Sequence, residues 1–174
     1  MATPVVALAT NTSPRIERCW AMPKKDVTRI PIINQLLVEE MADDDFWLTD
    51  LFETESGRYA PNRLVEQRID TYERTRSMLP ILDGLLFNPP ITFAQAAAYH
   101  RAVGYRWDGR SSWWSGMKDK AADLIRAGGK AICISWDSTG LGISRGFIME
   151  RLLIVNHGGH WHDSIVTVER KGGF

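Results

Sequence analysis

The feature that most constrains this chain is a set of short apolar runs separated by helix-like segments. The runs read FWLTDLF at 46–52, ILDGLLF at 81–87 and KAICISW at 130–136. The last run lacks alternation of apolar and polar residues, which is typical of a strand in a parallel sheet covered on both faces. The order strand, helix, strand, helix, strand predicts an open, mostly parallel α/β sheet.

Three segments carry helical signals. Segment 32–41 repeats apolar residues on one helical face, with acidic residues outside it. A second helix is predicted over 92–104. A third is predicted over 111–129, where Gly128 and Gly129 give a C-terminal stop signal.

The chain closes with two β-rich runs, 147–157 and 163–171, joined by the turn residues GGHWH. They predict a C-terminal antiparallel hairpin that forms an edge of the sheet. We expect residues 1–17 to be a flexible N-terminal arm and residues 18–174 to be one domain, because 174 residues suit a single core. A separate target-recognition domain has no room in this length.

The charge balance argues against a strongly basic nucleic-acid coat protein. Lys+Arg and Asp+Glu both number 21, so the net charge is zero, but a local basic face remains compatible with that balance. Lys24 and Lys25, together with Arg106 and Arg110, could form such a phosphate-facing patch or could be solvated surface.

The cysteines and the N-terminal residues indicate a cytoplasmic protein. Cys19 and Cys133 are far apart in the sequence, and Cys133 lies in an apolar strand pattern, so both are predicted to be free thiols in a reducing compartment. The apolar run near the N-terminus is too short for a membrane span and has no basic segment before it. We therefore expect no membrane association.

The stretch GLLFNPPITF places an amide and two prolines directly after an apolar strand. Ligands of open parallel sheets bind beyond the carboxyl ends of the strands, so Asn88 is predicted to lie at the ligand-binding edge. Pro89 and Pro90 fix φ and remove two backbone donors. The side-chain oxygen and the backbone carbonyl of Asn88 then form two convergent acceptors, which suit a primary amine.

These residues resemble the [DNS]-P-P-[YFW] motif of DNA methyltransferases that act on exocyclic amines. The flanking sequence resembles small phage-type DNA methyltransferases in two further places. ERCWAMPKKDVTRIPIINQLL, at 17–37, is similar to their opening segment. The segment 111–171 is similar to their carboxyl half, with a W-x-S-x-G-x-G loop, an RGF element and an HGG hairpin.

The resemblance implies a Rossmann-like methyltransferase fold, S-adenosylmethionine as methyl donor and DNA as partner, with a flipped-out base as substrate. The implied reaction is methylation of an exocyclic amine, adenine N6 in first place, in the host cytoplasm if the chain is phage-encoded. Carried over position by position, the resemblance implies catalytic residues Asn88, Pro89 and Pro90, substrate-binding residue Ile91, and cofactor-binding residues Trp20, Met22, Pro23, Thr28, Asp50 and Phe52. Two further substrate-binding candidates, Phe93 and Trp114, could replace the family's missing aromatic ring. Ser138, in a Gly-rich loop at the same sheet edge, could also contact the substrate.

Departures from the family pattern leave other functions open. Ile91 stands where the family has a base-stacking aromatic residue, which forfeits roughly 1–3 kcal/mol of stacking. The cofactor loop keeps Asp50 and Phe52 but lacks the family's proline, and Thr28 falls where the family has a Thr-Phe pair. One alternative is a degenerate relative that binds DNA, nucleotide or a protein partner without methylating. Another is a relative that adds a different group to a base.

Two further interpretations concern metal binding and assembly. His157, His160 and His162 lie on one tight hairpin, which could indicate a zinc site, but the family resemblance accounts for HGG without metal, and we predict none. With no net charge and no recognition domain, the chain has few phosphate contacts to offer. We therefore expect either a homodimer that pools two basic faces or weak binding with a short or relaxed target.

Overall fold

The computed structural model describes residues 13–24, 26–41, 48–50, 82–89, 97 and 112–173. They form a six-stranded sheet with one helix packed on each face. The elements in chain order are β1 (Arg15–Trp20), α1 (Pro31–Glu40), β2 (Leu48–Asp50), β3 (Leu82–Phe87), α2 (Ser112–Leu124), β4 (Ile125–Ser135), β5 (Phe147–Asn156) and β6 (Ser164–Lys171), with short 3-10 helices at Val27–Arg29 and Ile143–Arg145.

The sheet is mixed, and its order is β1-β5-β6-β4-β3-β2. Neighbouring strands are parallel except where β6 is involved, because β6 pairs antiparallel with both β4 and β5. The hairpin of β5 and β6 is confirmed, but its predicted place at the sheet edge is wrong. β6 lies inside the sheet because both of its faces are apolar or buried, and β1 extends the sheet beyond β5.

Two apolar clusters on opposite faces hold the helices to the sheet. Ile33, Leu36 and Leu37 of α1 are buried against the sheet, which confirms the predicted helical stripe. On the other face, α2 packs through Ala121 and Leu124. Because a helix covers each face of the sheet, side chains on both faces of β3 and β4 are buried. These strands therefore lack an alternation of apolar and polar residues.

The junction between α2 and β4 differs from the prediction. The helix ends at Leu124, and β4 begins at the next residue. The register between β3 and β4 shifts in the segment that contains Gly128 and Gly129, and Gly128 has φ +76°. The two glycines therefore form an irregular turn at the start of β4 and not a cap directly after the helix.

β1 is the strand that the sequence did not reveal. It begins at Arg15, inside the predicted arm of residues 1–17, and pairs in parallel with β5 over six residues. Its partner lies more than a hundred residues away in the sequence, so no local pattern signals the pairing.

Several predicted segments lie wholly or partly outside the described residues. Of the predicted strand 46–52, Leu48–Asp50 is described and is a strand. Of the predicted helix 92–104, Ala97 alone is described and is helical. Over the part of the chain that the structure describes, there is no helix with the length and apolar character needed to cross a membrane.

Candidate functional site at the carboxyl edge of the sheet

The five parallel strands end along one side of the sheet, here called the carboxyl edge. β2 ends at Asp50, β3 at Phe87, β4 at Ser135, β5 at Asn156 and β1 at Trp20. Because ligands of open α/β sheets bind beyond strand carboxyl ends, this edge is where a functional site is expected.

Asn88 and Pro89 follow β3 at this edge. Asn88 is half-buried and Pro89 is buried. Phe87 pairs with Cys133 of β4, so the ladder stops as the proline segment begins, because proline has no N–H to donate. The other three residues predicted here, Pro90, Ile91 and Phe93, lie outside the described residues.

Asp50 and Asn88 are neighbours along the edge. Asp50 pairs with Leu86 of β3, so Asn88 lies two residues further along an adjacent strand. Strands are about 4.8 Å apart and rise about 3.3 Å per residue, so the Cα atoms of this predicted cofactor residue and the predicted catalytic residue lie about 8 Å apart. Phe52 lies outside the described residues.

The loop after β4 borders Asn88 on the other side. Asp137 organises this loop, since its carboxylate accepts hydrogen bonds from the backbone N–H of Thr139, at 2.8 Å, and from the Thr139 hydroxyl. Lys118 of α2 also donates to the Thr139 hydroxyl, at 3.1 Å. Burial by itself raises the pKa of Asp137, but these hydrogen bonds and the Lys118 ammonium outweigh it and hold that pKa below its ordinary value. Ser138, a predicted substrate residue, is exposed in this loop.

Glu169 of β6 holds the same loop from beneath, and sequence reasoning missed it. Its side chain is 1% exposed and accepts hydrogen bonds from the backbone N–H groups of Leu141, at 2.6 Å, and Gly142, at 3.0 Å. A Cβ added to Gly140, which has φ +53°, would lie 2.1 Å from the Glu169 carboxylate. The sequence carried little signal for this role, because Glu169 stands beside Arg170 and Lys171 at the polar end of the strand.

Burial raises the pKa of Glu169, against the opposing effect of the two backbone N–H groups. Cys133 of β4 is also buried, with its Sγ 3.9 Å from the Glu169 carboxylate, and burial raises the pKa of its thiol. Such a thiol is a poor nucleophile. Cys19 and Cys133 are both free, as predicted.

Trp114 lies in the first turn of α2, close to this loop in the fold. The next residue, Ser115, accepts a hydrogen bond at its hydroxyl from Arg145, at 3.0 Å. Arg145 follows the loop and also bonds the Leu141 carbonyl, at 2.9 Å. The start of α2, which contains Trp114, therefore lies at the carboxyl edge.

The remaining predicted cofactor residues lie at the opposite end of the edge. Trp20 ends β1 and is exposed, as is Met22, while Pro23 is half-buried. Thr28 is buried, and its hydroxyl donates to Asp26 at 2.6 Å. β1 and β2 are the two outer strands, about 24 Å apart at ~4.8 Å per strand. The strand ends therefore do not bring Trp20 and Asp50 together.

His157 joins β1 to the hairpin. Its Nδ1 lies 2.8 Å from the carbonyl oxygen of Ala21, and its Nε2 lies 2.9 Å from the Ser164 hydroxyl. Since a carbonyl can only accept, Nδ1 carries the hydrogen. Both ring nitrogens are engaged, so this residue has none to offer a metal. Within the described residues there is no group of three or more His, Cys, Asp or Glu side chains arranged for a metal ion.

No protein family and no curated protein matches this sequence. Among solved structures, TrmN from Thermus thermophilus is similar, with a TM-score of 0.48 and 16% sequence identity. The similarity covers 83% of this chain and 49% of that chain, so this chain spans about half the length of its structural neighbour. A likeness of this size does not identify a family.

Proposed function

We propose that this chain is an S-adenosylmethionine-dependent methyltransferase of Rossmann-like fold that methylates an exocyclic amine of a DNA base, adenine N6 in first place. The observation that carries the proposal is the position of Asn88 and Pro89 at the carboxyl end of β3, with Asp50 on one neighbouring strand and the loop of Ser138 on the other. The Asn88 amide thus lies between Asp50, on the side proposed for the methyl donor, and the Ser138 loop, on the side proposed for the base.

The residues on the β2 side suit the methyl donor better than those on the β1 side. Asp50 ends a strand next to Asn88, and an acidic residue at a strand end can bind ribose hydroxyls in nucleotide sites. Trp20, Met22 and Pro23 lie at the far edge, so we assign the donor region to Asp50 alone among the described candidates. S-adenosylmethionine bound there supplies an electrophilic methyl group on its sulfonium.

The protein's part in the reaction is to position and polarise the amine. The base amine donates hydrogen bonds to the Asn88 side-chain oxygen and to a backbone carbonyl of the proline segment, which orients its lone pair. The donor would supply the methyl group as an electrophile, and Asn88 with the proline segment would hold the amine nitrogen facing it while the extra amine proton passes to water. Positioning and electrostatics therefore carry the catalysis.

A second candidate is a degenerate relative that binds DNA, nucleotide or a protein partner without methylating. One observation favours it: the predicted cofactor residues divide between the two outer strands. Ile91 in place of an aromatic residue also favours it. Addition of a group other than methyl would use the same amine-holding geometry.

Two measurements on the full chain test the proposal. Isothermal titration calorimetry with S-adenosylmethionine should detect binding. Methyl-labelled S-adenosylmethionine should then transfer label to DNA, and nucleoside analysis should identify N6-methyladenine. DNA binding without calorimetric binding of S-adenosylmethionine or label transfer, in a folded protein, would reject methyl transfer and favour the degenerate relative.

A further inference from the structure

Aromatic side chains form an exposed row along part of the carboxyl edge. The row, here called the edge aromatic surface, comprises Trp20 of β1, Trp136 after β4, and His160, Trp161 and His162 in the β5–β6 hairpin. Trp20 is 64% exposed, Trp161 57% and Trp136 42%. Indoles are usually buried, so a group of exposed ones on one surface marks an interaction site.

The rings are ordered with respect to one another. Trp136 stacks on His162 with centroids 4.2 Å apart, and His160 stacks on Trp161 at 5.0 Å. A Cβ on Gly158 would lie 3.4 Å from Nε1 of Trp20, so that indole lies against the start of the hairpin loop.

The row leads to the proposed catalytic residue. Phe87 of β3 pairs with Cys133 of β4, so Trp136 lies two residues beyond the level of Asn88 on the adjacent strand. From β4 to β1 there are three strand spacings, about 14 Å, so the row spans the width of several nucleotides of an extended strand.

The charges beside the row favour an anionic ligand. The carboxylates of Asp137 and Asp163 point to internal partners, Thr139 and, at 2.6 Å, the Asn156 amide, whereas the cations lie at the β1 end of the row. Arg18 and Lys24 flank Trp20 in the sequence, are exposed, and form no ion pair with any residue in the described ranges. Exposed cations close in sequence to an exposed indole fit a nucleic acid strand, which offers phosphates and stacking bases together.

We propose that the edge aromatic surface binds the nucleotides that flank the base held at Asn88, as an extended single strand laid across the strand ends toward β1. This deepens the proposed function and rests on it. The bases stack on Trp136, Trp161 and Trp20 in turn, and Arg18 and Lys24 contact phosphates near the far end. This surface supplies binding energy that a chain of zero net charge otherwise lacks.

Fluorescence anisotropy with a short fluorescein-labelled single-stranded oligodeoxynucleotide tests the stacking. Trp20→Ala and Trp161→Ala should each raise Kd by roughly 5- to 100-fold, since each removes one stacking partner. Val38→Ala is the matched control, because Val38 is an exposed apolar residue on α1, and it should leave Kd unchanged. Thermal melting should show all three variants folded, as the altered side chains are exposed.

The salt dependence of the same binding tests the phosphate contacts. Arg18→Gln and Lys24→Gln should each lower the slope of log Kd against log salt concentration by about 0.7. Arg126→Gln, which removes an exposed cation paired with Asp83 away from this edge, should leave the slope unchanged.

Three results would overturn the proposal: unchanged Kd in both tryptophan variants, unchanged slopes in both cation variants, or a dimer that Trp20→Ala converts to monomer in sedimentation velocity without changing Kd. The last result would assign the surface to a second copy of the chain. Methyl transfer is measured separately. Tryptophan-dependent oligonucleotide binding without label transfer would refute the proposed reaction and leave this surface intact, and label transfer with unchanged Kd would do the reverse.

Discussion

The two ends of the strands use charged and polar side chains in opposite ways. Toward the amino ends, charges are paired across elements. Arg151 of β5 lies 2.6 Å from Glu17 of β1 and 2.8 Å from Glu39 of α1, and Lys130 of β4 lies 2.8 Å from Glu40. The hydrogen bond from Arg151 holds the pKa of Glu39 below its usual value. These pairs join α1, β1, β4 and β5.

Toward the carboxyl ends, polar side chains fix the conformations of the loops, and aromatic side chains remain exposed. Glu169 and Asp137 shape the loop after β4, and His157 anchors the hairpin. Within the described residues, Arg18 and Lys24 form no ion pair, and the indoles of Trp20, Trp136 and Trp161 are exposed. Side chains paired between elements therefore stabilise this fold, whereas the side chains left exposed at the carboxyl edge are the ones that we propose bind a ligand.

Asn88→Ala should have the largest effect, and it should affect chemistry alone. Loss of the amide acceptor should lower kcat/KM for methyl transfer on the order of 10²–10³-fold, as for loss of one positioned polar group in other active sites. The free energy of unfolding should change little, because Asn88 is only half-buried. Label transfer and urea melts measure the two effects.

Gln35→Ala is the matched control, since Gln35 is an exposed amide on α1 that bonds Glu39. Its kcat/KM should equal that of the wild type. Retained activity in Asn88→Ala would show that Asn88 is not a catalytic residue. The contrast between the two ends of the strands would then have no support from the chemistry.

Arg151→Met should have the largest effect on stability, about 2–4 kcal/mol, because it leaves partly buried carboxylates without their partner. Arg151 is 12% exposed. Arg126→Met is the control: its pair with Asp83 is 51% exposed on the arginine side, so the expected loss is at most about 1 kcal/mol. Chemical denaturation measures both. Equal losses would show that burial of the Arg151 cluster adds nothing.

Glu169→Gln should destabilise by about 1–3 kcal/mol, because an amide cannot accept from both backbone N–H groups. The loss should depend on pH. Burial raises the folded pKa of Glu169, so the stability gained by protonation is fully present below the unfolded pKa of about 4.3 and is lost as pH rises through the raised folded value. As the pH is lowered toward about 4.3, the free energy of unfolding of the wild type should therefore increase relative to that of the Glu169→Gln variant.

Gly140→Ala provides the comparison for that pH profile. It strains the same contact at φ +53° but keeps the carboxyl group, so its loss of stability should vary less with pH. A wild-type advantage over Glu169→Gln that stays constant between about pH 4.3 and 7 would show that the Glu169 pKa is not raised.

Ile91→Tyr should have the smallest effect on the fold and a modest one on substrate. The sequence places residue 91 directly after two prolines, so we expect it to face the base pocket. A ring there should lower KM for DNA by up to about tenfold through stacking, with little change in melting temperature. If the variant unfolds, residue 91 belongs to the core and the motif does not mark a base-stacking position.

The sequence alone determined the local elements with strong signals. The apolar stripe of Ile33, Leu36 and Leu37 specified α1, and the continuous apolar runs specified β3 and β4, because periodicity and burial are written into consecutive residues. Asn88 and Pro89 at a strand's carboxyl end followed from the order of residues once a parallel sheet was inferred. The end of α2 was misplaced by four to five residues because Gly128 and Gly129 serve a strand irregularity and not a helix cap.

Only the tertiary structure decided which distant residues meet. The pairing of β1 with β5 and the interior position of β6 depend on contacts between segments far apart in the chain, which local propensity does not encode. The same holds for Glu169 beneath the loop of Leu141 and Gly142, and for the division of Trp20 and Asp50 between opposite outer strands. Side chains acquire these relations only when the strand order is fixed, since neighbours in a sheet are set by hydrogen bonding between strands and not by distance along the sequence.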